Sequence, residues 1–158
     1  MKIDRQEIHA AILNFLGLLE NEERELPIEV ETLGLALDKL ALISHFLDDI
    51  PEDEKEYPEA PARNYSRWRE LSNKRFPSLG YYNIPSKISV NVGEAEMHTG
   101  DALDDLADIA NELSEIVGRW QNNGEDDALW HFRFSYETHW ESHLRSLQMY
   151  LHALRSEK

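Results

Sequence analysis

The chain has 158 residues, of which 41% are apolar and 30% charged, with 16 Lys and Arg against 31 Asp and Glu for a net charge of −15, and no Cys. That length suits one globular domain with its own core. The missing thiols exclude disulfides, thiolate zinc sites, iron–sulfur clusters and a cysteine nucleophile, so any metal would need His, Asp or Glu. The acidity argues against general affinity for nucleic acid or anionic membrane, which needs clustered cations, and makes a basic protein partner admissible.

In chain order, Met1-Lys2-Ile3-Asp4-Arg5 opens with charges where a signal peptide needs an apolar run, and no later stretch reaches the roughly 18 apolar residues of a membrane span, so a cytoplasmic protein is expected. Residues 3–20 place Ile8, Ala11, Ile12, Phe15, Leu18 and Leu19 on one helical face, before an acidic run from Glu20 to Glu25. Leu26-Pro27-Ile28 restarts the chain. The second helix carries Leu33, Leu35, Leu37, Leu40, Leu42, Ile43, Phe46 and Leu47 around nearly its whole circumference, which predicts the central, most buried element, with Asp38, His45 and Asp49 as its wetted wedge.

Asp48 to Pro61 carries seven acids and three Pro, the composition of a solvated loop. A short helix over Tyr65–Phe76 comes next. It is the one basic segment, with Arg63, Arg67, Arg69, Lys74 and Arg75 against Glu70. Those arginines beside Tyr65 and Trp68 could hold a phosphate, but without a glycine-rich cradle the plainer expectation is a cationic helix docked on anionic neighbours. Residues 77–99 predict a small β-ribbon or an extended arm, with Tyr81, Tyr82 and Ile84 covering something beneath.

Thr99-Gly100-Asp101 suits the start of a fourth helix running to about Trp120. Leu103, Leu106, Ala110, Leu113, Val117 and Trp120 form its inner stripe, and Asp101, Asp104, Asp108, Glu112 and Glu115 line the opposite side, which reads as a solvated face unless the 77–99 segment covers it. Asn122-Asn123-Gly124 ends it, and Glu125-Asp126-Asp127 opens a fifth helix reaching about Leu154. At 100° per residue, Leu129, Tyr136, Trp140, Leu147, Leu151 and Leu154 form its core stripe, with Arg133 and His143 inside it. Both should be partly buried and partnered, Arg133 by Asp105 or an acid of the second helix. His139 and His143 stand four apart, the spacing that offers two imidazoles to a metal. The zincin pattern fails, because Trp140 follows the first His where a Glu is needed. The fold expected is all-α: about five helices around one core, in a single domain.

Several of these segments taken together, Leu79-Gly80-Tyr81-Tyr82, Gly100-Asp101-Ala102-Leu103-Asp104-Asp105-Leu106-Ala107-Asp108-Ile109, Ala128-Leu129-Trp130, Phe134, Glu137 and His139-Trp140-Glu141-Ser142-His143, resemble a bacterial domain-of-unknown-function family, 5063, over the carboxy-terminal half. The resemblance implies an all-α fold and a bacterial cytoplasmic setting, and transfers no activity.

With no nucleophile, cofactor loop or complete ligand set legible, no cofactor is expected, and the leading expectation is a non-enzymatic acidic binding or adaptor protein, for instance an immunity-type protein against a basic partner. The rival is a small metal-binding protein or metal-dependent enzyme. The candidate residues are Arg133, Glu137, His139 and His143 on the last helix, Asp104, Asp105 and Asp108 on the fourth, and Tyr82 on the 77–99 segment. The rival requires the acids and imidazoles to converge.

Overall fold

The computed structural model describes residues 3–23, 29–47, 50, 55–58 and 63–157. Helices α1 (Arg5–Glu20), α2 (Val30–Ser44) and α3 (Tyr65–Arg75) precede a two-stranded antiparallel ribbon of β1 (Tyr81–Pro85) and β2 (Met97–Asp101). Helix α4 (Ala102–Asn123) comes after it, and then a last helix in two parts, α5 (Glu125–Ser135) and α6 (Glu141–Ser156), joined by a π turn over Tyr136–Trp140. The architecture is the all-α bundle expected, with the ribbon between α3 and α4. The restart at Leu26-Pro27-Ile28 and most of the loop from Asp48 to Pro61 lie outside the described residues.

Short polar side chains set the helix starts. Asp4 accepts from the Gln6 amide at 3.0 Å, Asn64 from Arg67 at 3.1 Å, and Asp101 from Leu103 and Asp104 at 3.0 and 3.4 Å, each satisfying amides that a first turn leaves without partners. Gly124 separates α4 from α5 with φ of 99°, a value an L side chain adopts only with strain.

The central element is α4, not α2. Leu35 and Leu42 of α2 are 72% and 54% exposed. Along α4, Leu103, Leu106, Ile109, Ala110, Leu113 and Ile116 are buried, and so are Asp105, Asn111, Glu112 and Glu115. Helices α1, α3, α5 and α6 all pack on it. The all-round apolar content of α2 misleads because leucines on a surface helix need not be buried, whereas acids can be buried once cations reach them.

The predicted single fifth helix contains a π turn. Widening the helix by one residue across Tyr136–Trp140 rotates the remainder of the helix by about 100° relative to a regular α-helix. Trp140 is thereby fully buried, its indole nitrogen donating to Ser135 Oγ at 3.0 Å, while Leu144, Leu147 and Leu151 continue the core beyond it.

Because Leu106 sits at the core's centre and Leu35 in solvent, Leu106→Ala should lower unfolding free energy by about 2–5 kcal/mol and Leu35→Ala by under about 0.5 kcal/mol. Urea denaturation of the two variants checks the assignment of α4 as the centre.

Candidate functional site

The outer side of α4 is covered by charge partners. Arg63, just before α3, grips Glu112 with both terminal nitrogens, at 2.9 and 3.0 Å, and donates from Nε to Glu115 at 2.6 Å. The other oxygen of Glu115 takes Arg119 at 3.0 Å, and Arg119 also reaches Asp127 of α5 at 3.1 Å. Arg69 donates to Asp101 at 2.7 Å and the Tyr65 hydroxyl to Asp104. Arg67 pairs with Glu20 of α1 at 2.7 Å. The basic α3 is therefore docked against anionic neighbours. The face that reads from sequence as solvated is enclosed.

At the middle of that face the last helix meets α4. His143 Nδ1 donates to Asp105 Oδ1 at 2.7 Å, and His139 Nδ1 donates to Glu112 Oε1 at 2.9 Å. A carboxylate only accepts, so this pairing puts the Nδ1 proton in the hydrogen bond and, in the neutral ring, leaves the lone pair on Nε2. The rings lie edge to face, 5.1 Å between centroids. Beside them is Asp108, its Oδ2 3.5 Å from His143 Nε2, and one ligand atom from each of Asp108, His139 and His143 lies within 4.8 Å of the others.

Asp108 differs from its neighbours. Asp101, Asp104, Asp105, Glu112 and Glu115 all accept hydrogen bonds from Arg, Tyr or His. Among the described residues Asp108 accepts none, and its contact is the 3.5 Å approach of His143. Burial, reinforced by Asp104 and Asp105 against the opposing pull of the two imidazoles, pushes its carboxyl above the usual range. His143 moves up as well, because the hydrogen bond to Asp105 outweighs burial, with Asp108 and Asp104 adding to it. The group is a carboxylate short of donors facing two imidazoles whose other nitrogens are already fixed.

Of the candidates read from sequence, the structure brings together Asp105, Asp108, His139 and His143, with Tyr82 bonded to Asp105. Asp104 is one turn away, held by Tyr65. Arg133 and Glu137 stand apart from this group: Arg133, expected to meet Asp105 or an acid of the second helix, donates to Glu137 at 3.0 Å on an exposed part of the last helix. Arg133 lies in α5 ahead of the π turn, whereas the side chains that meet these acids, His139 and His143, lie on the turn and after it. Glu112 belongs to the site, although its place opposite the apolar stripe reads as solvated. The signal for it is the run Asp104, Asp108, Glu112 at four-residue spacing, a single face carrying more acid than solvation needs, opposite a basic helix.

The family Domain of unknown function (DUF5063) matches residues 4–157, and the chain belongs to it. The match extends over nearly the whole length, beyond the carboxy-terminal half that carries the motifs. Among solved structures, protein BF1032 from Bacteroides fragilis is similar, with a TM-score of 0.64 at 19% identity, covering 94% of this chain and 90% of that one. At that identity the likeness shows the fold alone. No curated protein matches.

Burial works to raise both Glu115 and Asp101, but Arg63 and Arg119 on Glu115, and Arg69 with two helix amides on Asp101, overcome it and hold both carboxyls below their usual values. Both therefore bind protons more weakly in the folded chain, so their stabilisation is present above an unfolded pKa of about 4 and is lost as pH falls through the lower folded values. Arg63→Ala should lower stability at pH 7 by about 1–3 kcal/mol, less than for a fully buried pair because Arg63 is half exposed, and should flatten the acid limb. Denaturation midpoints measured from pH 3 to 7 for both proteins check it.

Proposed function

We propose that the chain binds a divalent transition-metal ion through Asp108, His139 and His143. The observation that carries this reading is Asp108: in a group where every neighbouring acid has a donor, it has none among the described residues and faces two imidazoles. A cation there would satisfy the carboxylate and both Nε2 lone pairs at once. The hydrogen bonds from Nδ1 to Asp105 and Glu112 supply what metal-bound imidazoles recurrently have, a carboxylate on the far nitrogen that fixes the ring and raises its basicity. The π turn supports the same reading, since single π turns are frequent at functional sites and this one carries His139.

Two imidazoles and one carboxylate suit Zn²⁺ and its first-row neighbours rather than Mg²⁺ or Ca²⁺, which prefer oxygen ligands. Three protein ligands leave at least one position for water or an anionic ligand, the pattern of reactive sites and not of closed structural ones. His139 is 44% exposed, so that position would be reached from solvent. A bound ion would equip the site to activate water or polarise a bound oxygen. The reading of an acidic adaptor for a basic partner has less to draw on, because the acids of α4 are engaged within the chain.

Zn²⁺ at about 100 times its dissociation constant should raise the melting temperature by about 5–10 °C. Mg²⁺ should not. The double variant His139→Gln, His143→Gln should keep its far-UV circular dichroism and lose the Zn²⁺ response. A response that survives in that variant, or no response to any divalent ion in the parent, would overturn the assignment.

A further inference from the structure

We infer that the β-ribbon is a strap that sets this centre, with Tyr82 and Gly100 as positioning residues for His143; the inference rests on the metal-binding reading above. Tyr82 of β1 pairs in register with Gly100 of β2. A β-carbon at position 100 would lie 2.6 Å from Tyr82 Cζ, 2.8 Å from Tyr82 Cε1 and 2.7 Å from Ile84 Cδ1, all closer than carbon atoms approach. Glycine is therefore what lets the Tyr82 ring lie flat across the ribbon.

Lying there, the ring stacks on Tyr150 of α6 with centroids 4.7 Å apart and planes 13° from parallel, and its hydroxyl donates to Asp105 Oδ2. The other oxygen of that carboxylate holds His143 Nδ1. Tyr150 in turn accepts from the Gly80 amide at 3.2 Å, and the Gly80 carbonyl accepts from the Ala102 amide at 3.1 Å, which ties the base of the ribbon to α6 and α4 together. The path from ribbon to centre is thus short and continuous: Gly100 admits the ring, the ring places the hydroxyl, the hydroxyl fixes Asp105, and Asp105 fixes the imidazole.

Asp105 with a donor on each oxygen has its carboxylate plane fixed. With only His143 bonded to it, the plane can turn, the imidazole turns with it, and Nε2 leaves its position facing Asp108 for part of the time. The Tyr82 hydroxyl remains a donor throughout the physiological range, since burial and the adjacent Asp105 both push its ionisation upward. Carboxylates hydrogen-bonded to metal-bound imidazoles affect affinity by about 10–100-fold, so a group one bond further out should act by about three- to tenfold.

The test separates the hydroxyl from the packing of the ring. Zn²⁺ affinity is measured by competition with a chromophoric chelator for the parent, Tyr82→Phe, Ile84→Ala and Gly100→Ala, together with melting temperatures in the absence of metal. Tyr82→Phe keeps the ring and should bind Zn²⁺ about three- to tenfold more weakly with its metal-free melting temperature little changed. Ile84→Ala loosens the ribbon's packing without touching Asp105, and should melt earlier while keeping parental affinity. Gly100→Ala should lose both, and the first two variants decide the matter if it does not fold. Parental affinity in Tyr82→Phe overturns the strap and leaves the metal site standing. A parent that takes up no Zn²⁺ overturns both.

Discussion

A charge cannot be buried unpaired, and α4 carries acids on the side its apolar stripe does not use. All of these but Asp108 find a donor among the described residues, and the rest of the chain is arranged to bring one. Arg63 and Arg69 draw α3 across the face, Arg119 and Asp127 join α4 to α5, Tyr82 brings in the ribbon, and His139 and His143 bring in the last helix. The polar face adds direction to the apolar packing, because in this arrangement these acids meet donors from α3, the ribbon and the last helix.

Within that arrangement Asp108 is the exception, and the π turn is a second local departure from regular structure. Departures of this kind are expected where a site is built, since a carboxylate without donors and a widened helical turn both carry a cost that a packed core alone would avoid. They coincide in space. Around Asp108 the neighbouring acids Asp104, Asp105 and Glu112 have their hydrogen bonds made, and one ligand atom each of Asp108, His139 and His143 lies within 4.8 Å of the others.

Much of this is legible in the sequence. Apolar spacing marks α1, α3 and α4, and Asp101 marks the start of α4, because helical periodicity and short polar residues at first turns are local signals. The pairing of His139 and His143 on one face, and the acids of α4 as their partners, come from i, i+4 spacing. The illegible part depends on long-range pairing. The side of α4 opposite its leucines reads as solvated until Arg63, some fifty positions earlier, is known to lie on Glu112. Leu35 and Leu42 read as core because a leucine's own sequence position does not say whether another element covers it. The π turn has no periodic signature, so a regular helical projection runs one stripe straight through Tyr136–Trp140, where the helix in fact widens.

Whether Asp108, His139 and His143 form one metal centre is tested most directly by anomalous diffraction at the zinc edge, from crystals grown with Zn²⁺. One strong peak is expected about 2.0–2.2 Å from a carboxylate oxygen of Asp108 and from Nε2 of both histidines, with Nδ1 still bonded to Glu112 and Asp105. A peak elsewhere, or Nε2 atoms hydrogen-bonded to water with no ion between them and Asp108, would contradict it.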